Sequence, residues 1–476
     1  MRKTKIVCTI GPVSDNDEMM AAMMDCGMNV ARLNFSHNTH EDYRKTIERI
    51  RTIRREKCLP VAIMLDTKGP EIRLKDFKNG FVVLNDGASF ILTTQPYDGD
   101  ETAASVSYSQ FPQKLNSGDQ ILIDDGKIEL RVEHCTETEV HCTVVHGGKL
   151  SNHKSINVPY TRLAVPYLSE QDKSDLLFGI ENDVDFIAAS FARSKEDVIA
   201  LRKFMEYNGG HGIQIIAKIE NQEGIENFDE ILSCSDGIMV ARGDMGVEVD
   251  FEKLPGLQKR FIRKCYQSGK MVITATQMLE SMVHHPIPTR AEISDVANAV
   301  FDGTSAVMLS GETAAGKYPL EAVRAMAKIA EQAENDAFSM GAYDGIHYEM
   351  DIADTTNAVC DAACITARDI RAKAIIALSK YGQTARRMSK FRPREAIVAA
   401  TPVEKTFYQL ALSWGVYPVL ARYQKTSDEL LRHAIDCAKQ INAVADGDKV
   451  IIAAGIPLDT PGSTNLLKVE TVGMIR

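Results

Sequence analysis

Eight short runs rich in Val, Ile, Leu, Met and Ala each end on polar or charged residues, at Thr9, Ser36, Thr67, Ser190, Glu220, Asp244, Thr276 and Ser310. Successive ends lie 27, 31, 123, 30, 24, 32 and 34 residues apart. One strand, one crossover helix and two loops take about 30 residues, so the spacing is that of repeated βα units. Eight units in series predict an α/β fold, a closed parallel (β/α)8 TIM barrel, whose chemistry gathers at the C-terminal ends of its strands. The polar ends stand where that rule puts an active site. The single long interval marks an inserted domain.

Helix signals between the runs support the alternation. Ser14-Asp15 leads into Met19, Met20, Met23 and Met24, and Gly27 ends that helix. Thr289 and Glu292 form a capping box after Pro288; Ile293, Val296, Ala297 and Val300 then recur at helical spacing until Gly303. From 69 to 166 the texture changes. Alternating runs at 120–124 and 138–145, separated by Asp86-Gly87, Gly118-Asp119, Asp125-Gly126 and Gly147-Gly148, are hairpin chemistry. We read 1–68 and 167–340 as the barrel, and 69–166 as an inserted all-β domain, a small β-barrel overhanging the active end as a lid. Residues 341–476 read as a separate C-terminal α/β domain, with strands near 374–378, 396–400, 416–420 and 449–454 and an amphipathic helix over 427–443.

The net charge of −10 argues against nucleic acid or an anionic membrane as the main partner, though not against a small polyanion in a local basic pocket. Ten cysteines are scattered singly, without a Cys-x-x-Cys pair, which fits a reducing compartment. Cys360 and Cys364, one helical turn apart, read as core packing. Residues 1–10 are charged and then strand-like, unlike a signal peptide, and no run of eighteen apolar residues occurs. The expected location is cytoplasmic.

Strand five of this scheme ends Lys218-Ile219-Glu220, and strand six ends Arg242-Gly243-Asp244. Alternation puts Lys218 and Glu220 on one face, with Asp244 on the neighbouring strand. Two hard carboxylates and an ammonium at a barrel mouth are what a Mg²⁺ site shared with a phosphorylated substrate requires. A structural ion-pair network is the competing account. Gly243 and Gly246 leave the backbone bare before a helix from about Phe251, so a loop there can aim N–H groups at a carboxylate.

Strand two ends on Arg32, Asn34, Ser36 and His37, and strand three on Asp66, Thr67, Glu71 and Arg73. Asn34, Ser36, Asp66 and Thr67 offer four oxygens with one formal charge, which suits a monovalent cation better than Mg²⁺. Arg32 and Arg73 are forked donors matched to phosphate oxygens. His37 alone reads as a hydrogen bonder at the rim. The Thr276 hydroxyl is either satisfied by backbone or orients a water or substrate. Lys154, beside His153, reads on composition as solvated surface.

Taken together the segments resemble the pyruvate kinase family. The motifs are residues 5–12 (KIVCTIGP), 31–37 (ARLNFSH), 65–73 (LDTKGPEIR), 218–224 (KIENQEG), 237–248 (GIMVARGDMGVE), 274–282 (TATQMLESM), 288–292 (PTRAE) and 308–313 (MLSGET). The resemblance runs through the whole chain in order. It implies reversible phosphoryl transfer between phosphoenolpyruvate and ADP, and a homotetramer. By carry-over, Glu220 and Asp244 bind Mg²⁺ (or Mn²⁺), and Asn34, Ser36, Asp66 and Thr67 bind K⁺. Arg32, Asn34, His37 and Lys154 serve the nucleotide. Lys218 faces the transferring phosphoryl group, Gly243 and Asp244 lie at the substrate carboxylate, and Thr276 is near the enolate face. Arg73 adds positive charge. Glu71 stands where members with Glu depend on K⁺ and members with Lys do not, so K⁺ dependence is expected.

In the C-terminal domain Ser379, Lys380, Gly382, Gln383, Thr384 and Arg386 resemble the phosphate loop of allosterically activated members, and residues 462–465 a second side of that pocket. A plain helix cap is the alternative, and the effector, if any, stays open. The additional C-terminal domain of some bacterial members is not expected after the last strand near Val472. Where the family often has Leu-Pro-Gly after the lid lysine, this chain reads Val158-Pro159-Tyr160, which stiffens the hinge. Two rivals remain on sequence: a lyase using the same metal and enolate, and a silent scaffold with this fold.

Overall fold

The computed structural model describes all residues except 37, 163–164, 344–353, 425, 457–463 and 475–476. Eight parallel strands close the barrel: β1 Lys5–Thr9, β2 Val30–Asn34, β3 Ala62–Asp66, β4 Phe186–Ala189, β5 Gln214–Ile219, β6 Gly237–Ala241, β7 Met271–Ala275 and β8 Ala306–Leu309. Each ends within three residues of its polar mark. The strands are buried on both faces, as parallel strands covered by helices must be.

Alternation sorts their side chains into two packings. Val7, Met64, Ala188, Met239 and Met308 fill the barrel interior, with Ala411 and Leu412 of the C-terminal domain joining them. Ile6, Leu33, Leu65, Ile215 and Val240 face the helices. Asp17–Asp25 is capped by Asn16, one residue beyond the expected acidic start. Thr289 and Glu292 form the capping box of Arg290–Phe301.

The insertion is a seven-stranded sheet with a two-stranded companion. It does not close as a continuous ladder. Its edge strands, Ile72–Arg73 and Ala103–Ser105, are short and meet at one bridge, Leu74 to Val106. The first and last strands of the sheet in sequence, Ile72–Arg73 and Ser155–Asn157, pair with each other. The C-terminal sheet is ordered 416–420, 396–401, 374–378, 449–454 and 466–471, the last strand antiparallel. Cys360 and Cys364 are free and buried in its core. It joins the barrel's N-terminal end through Lys5 Nζ, which donates to the Val416 carbonyl at 2.6 Å.

Candidate active site

Asp66, at the end of β3, is the hub of the barrel mouth. Its Oδ2 accepts from Arg32 Nε at 2.6 Å, and its Oδ1 from Lys218 Nζ at 3.0 Å and Ser190 Oγ at 3.1 Å. Strand register explains the meeting: Asp66 lies opposite Asn34 on one side and Ala188 on the other. Arg32 also donates to Thr9 Oγ1 at 2.9 Å. Burial disfavours charge on Asp66, but Arg32 and Lys218 outweigh it and hold its pKa below the ordinary value.

Lys218 is enclosed by three oxygens. It reaches Ser190 Oγ at 2.8 Å and Glu220 Oε1 at 3.0 Å besides Asp66. Burial opposes its charge, yet Asp66 and Glu220 raise its pKa above that of a free lysine. Glu220 accepts from the Phe191 N–H at 2.6 Å. The Asp244 carboxyl is within hydrogen-bonding reach of Glu220, and burial pushes both acids upward against the pull of Lys218. Two buried, neighbouring carboxyls served mainly by one ammonium form an oxygen donor set short of positive charge. A divalent cation fits that deficit. Among the described residues no cluster of three or more His, Cys, Asp or Glu is arranged to hold a metal, so these two carboxylates would share their ion with other oxygens.

Asp244 sits differently from the sequence expectation. Arg242–Glu248 winds into a short helix immediately after β6, so the expected loop is absent. Neither Gly243 nor Gly246 has a positive φ. The Gly243 backbone lies against Thr276, whose Oγ1 would sit 3.4 Å from an added Cβ, an ordinary van der Waals contact. The Gly243 N–H donates to that Oγ1 at 2.7 Å, and the hydroxyl donates to the Ala275 carbonyl at 2.6 Å. Thr276, a β-branched residue, is held at φ 67° and Gln277 follows at 54°. Arg242 stabilises this turn: its guanidinium donates to the carbonyls of Thr276 at 2.6 Å and Gln277 at 3.2 Å, and to Asp295 at 2.7 and 2.8 Å. Replacing Arg242 by Met is expected to lower both kcat and the melting temperature, whereas Asp295→Asn lowers mainly stability. Normal turnover in Arg242→Met would show that the turn needs no clamp.

The other named residues divide. Asn34 and Ser36 are partly exposed at the end of β2, with Ser36 N–H 3.4 Å from Asn34 Oδ1; Thr67 is buried and accepts from Ser190 N–H at 3.2 Å. Arg73 is not brought to the Asp66 cluster. It lies in the insertion, donating from Nε to Glu71 at 2.8 Å and from Nη1 to the His153 carbonyl at 3.1 Å. Lys154 pairs with Asp124 of the same sheet at 2.8 Å. His37 lies outside the described residues. A cleft of about 140 Å³ separates the inserted sheet from the barrel mouth, with Asp244, Glu71, Asp125 and Glu248 in its lining. The hinge contacts the barrel through Asn157 to Glu248 at 2.8 Å and Tyr160 to Asp250 at 3.1 Å. Tyr160 has φ 63°, a conformation in which glycine carries no Cβ penalty.

Sequence reasoning gave no role to Ser190, Thr9, the Phe191 N–H or Arg242. Ser190 and Thr9 were legible as strand ends; the other two depend on turns that periodicity does not encode. In the C-terminal domain Gly382, at φ 78°, precedes the helix Gln383–Lys390, and Thr384 meets Thr464 at 2.8 Å, so two sides of the loop do converge. Residues 462 and 463 are outside the described region. Lys380 is exposed, and Arg386 turns back to the Tyr381 carbonyl at 2.9 Å.

Comparison with known proteins agrees with this geometry. Residues 1–323 match the family model of the pyruvate kinase barrel domain, and residues 357–470 that of the pyruvate kinase alpha/beta domain. The chain is 46% identical over 481 residues to pyruvate kinase of Clostridium acetobutylicum, covering 99% of this chain and 100% of that one. It is 48% identical over 483 residues to the Staphylococcus haemolyticus enzyme, covering 99% of this chain and 81% of the relative. A crystal structure of a pyruvate kinase from Cryptosporidium parvum superposes with a TM-score of 0.94 at 39% identity, covering 99% of this chain and 96% of that one. With both domains matched, and with near-complete coverage at these identities, the chain belongs to the pyruvate kinase family.

Proposed function

We propose that the mouth built on Asp66, Lys218, Glu220 and Asp244 performs the family's phosphotransfer, moving the phosphoryl group of phosphoenolpyruvate to ADP to give pyruvate and ATP. One observation carries this reading: a buried, charged Lys218 stands beside Glu220, which lies within hydrogen-bonding reach of Asp244 at the edge of the cleft. In this account Glu220 and Asp244 hold Mg²⁺ (or Mn²⁺), and Asn34, Ser36, Asp66 and Thr67 hold K⁺. When bound, these cations neutralise substrate charge and part of the charge of the transferring group.

The chain's own groups then have separate tasks. Lys218 keeps its proton between two carboxylates, so it serves as a fixed positive charge at the phosphoryl oxygens and not as the acid that protonates the enolate. The Nη2 of Arg32 has no hydrogen-bond partner among the described residues and is the group offered to a nucleotide phosphate. Lys154 must leave Asp124 to reach that phosphate, which ties nucleotide capture to movement of the inserted sheet. Thr276, bonded on both sides, orients the turn and a nearby water at the enolate face.

The direct test follows ATP formation from phosphoenolpyruvate and ADP with each cation varied. Turnover of phosphoenolpyruvate without ADP, or carbon–carbon cleavage of a substrate, would favour the lyase reading; no turnover at all would favour a scaffold. Glu71→Lys is expected to raise the rate in K⁺-free buffer toward the K⁺-saturated rate, because family members with Lys at this position do not depend on K⁺. An unchanged cation profile counts against the assignment. The substitution also releases Arg73 from its carboxylate, so phosphoenolpyruvate affinity is measured alongside.

Assembly as a homotetramer, a cytoplasmic location and a phosphorylated effector on Ser379, Lys380, Gly382, Gln383, Thr384 and Arg386 complete the proposal. All ten cysteines are free, and no helix among the described residues is long and apolar enough to cross a membrane. Rate curves against phosphoenolpyruvate with fructose bisphosphate, AMP or ribose phosphate identify the effector, or show that none acts.

A further inference from the structure

Barrel register sets Asn34 opposite Asp66, but β2 ends at Asn34 and β3 at Asp66, so Ser36 and Thr67 stand beyond the ladder. Both loops are also held from outside the ring of strands, by the helix Glu170–Glu181 that follows the insertion. Its Asp172 and Asp175 are each only 1% exposed. Buried carboxylates are costly unless they are paired, and each of these two is paired with a different loop.

On the β2 side, Asp175 Oδ1 accepts from His40 Nε2 at 2.6 Å and from Gln171 Nε2 at 2.8 Å. Its Oδ2 is buried without a hydrogen-bond partner. Gln171 belongs to the same helix, so His40, the first residue of the helix His40–Glu56, is the contact that reaches across. A buried acid with one oxygen unserved depends the more on the donor it has. His40 also stacks on Phe178 of Glu170–Glu181 at 4.7 Å. Phe35 lies 5.6 Å from Phe178 and is stacked on Tyr43 at 4.1 Å, and the Tyr43 hydroxyl donates to the Asn34 carbonyl. Phe35 stands between Asn34 and Ser36 in the chain, so fixing its ring fixes the backbone that carries both oxygens.

On the β3 side, Asp172 Oδ1 accepts from the Gly69 N–H at 3.1 Å, while its Oδ2 accepts from Ser169 Oγ at 2.6 Å in the helix's capping box. Gly69 has φ 72°, and a Cβ there would come 2.9 Å from Ser190 Cβ, so the turn two residues after Thr67 is tight and has no slack.

We propose that Asp172, Asp175 and His40 are positioning residues for the monovalent cation: through one helix they hold the loops of Ser36 and Thr67 at a set separation, and that separation decides which cation is preferred. The inference rests on the assignment of Asn34, Ser36, Asp66 and Thr67 to K⁺. Choice among ions of equal charge depends on cavity size and on how rigidly the oxygens are held. Residues that touch no ion can therefore set the preference by bracing those that do.

The test uses the full-length protein with saturating Mg²⁺, KCl replacing tetramethylammonium chloride at constant ionic strength. Binding is read as the rise in melting temperature with KCl, and preference as the ratio of initial rates in K⁺ and Na⁺. His40→Leu and Asp172→Ala are each expected to raise the KCl needed for half the thermal shift about 10-fold and to lower the K⁺/Na⁺ rate ratio. His40→Gln keeps a donor and should stay within about 3-fold of the wild type. Ser169→Ala breaks the capping box but leaves the acceptor of Gly69, so it should lower the melting temperature without moving the KCl dependence. The His40 side chain is partly exposed, so His40→Leu keeps the test readable should Asp172→Ala not fold. An unchanged KCl dependence in His40→Leu overturns the inference, as does a loss in His40→Gln equal to that in His40→Leu. So does a shift in Ser169→Ala as large as that in Asp172→Ala, which would trace the effect to helix stability. A wild type with neither a KCl-dependent thermal shift nor activation by K⁺ overturns the K⁺ assignment itself, and this inference with it.

Discussion

Lys218→Met is expected to lower kcat on the order of 1,000-fold or more while changing the KM for phosphoenolpyruvate only a few-fold. The transferring phosphoryl group spreads its charge over its oxygens on the way to ADP, and a positive charge fixed beside them gains most at that point. Lys218 is suited to this because its ammonium is already held by Asp66, Ser190 and Glu220, so little reorganisation accompanies the reaction. Methionine keeps the stem and removes the charge. The same change leaves Glu220 without its nearest cation, and breaking a buried pair costs about 3–5 kcal/mol, so stability falls too. Single-turnover rates on protein shown to be folded by circular dichroism separate the two effects. Strong loss of phosphoenolpyruvate binding with a normal kcat would overturn the role given to Lys218.

Asp244→Asn is expected to weaken Mg²⁺ activation and phosphoenolpyruvate affinity together, each on the order of 10- to 100-fold. The amide keeps the volume and one oxygen but removes the formal charge from the pair with Glu220. Loss of that charge also relieves the like-charge repulsion on Glu220, so the site binds a divalent ion less tightly while the fold is not weakened. The measurement is a grid of initial rates over Mg²⁺ and phosphoenolpyruvate. If the two apparent constants shift independently, the ion and the substrate do not share a site at Asp244.

Most of this site is legible in the sequence because a parallel barrel turns strand ends into neighbours. Asp66 and Lys218 are 152 positions apart, yet the eight-unit spacing alone assigns both to the mouth. What sequence did not resolve is which partners these groups choose. Arg32 and Arg73 look equivalent as forked donors, but Arg32 lies inside the ring of strands, while Arg73 belongs to the edge of the insertion and faces Glu71. The Gly243 and Gly246 pair suggested an open loop. The structure winds Arg242–Glu248 into a short helix, and the Gly243 N–H donates to Thr276 Oγ1, a partner that no local pattern announces. Arg386 shows the same limit: its place in a loop motif does not announce that its Nη1 turns back to the Tyr381 carbonyl. In contrast, the substitution at Tyr160 drew attention to the hinge, where the residue adopts a backbone conformation that favours glycine.

The pairing of the insertion's first and last strands bears on how the chain folds. β3 and β4 are hydrogen-bonded neighbours, but about 120 residues separate them, and closing so long a loop carries roughly 1 kcal/mol more entropy than an ordinary βα unit. If the inserted sheet forms first, Ile72–Arg73 and Ser155–Ile156 bring the two ends side by side, and the effective loop shrinks to about five residues on the first flank and about 28, including the helix Glu170–Glu181, on the second, close to the length of an ordinary βα unit. The insertion would then act as a clasp during synthesis, handing β4 to β3 before the second half of the ring is made.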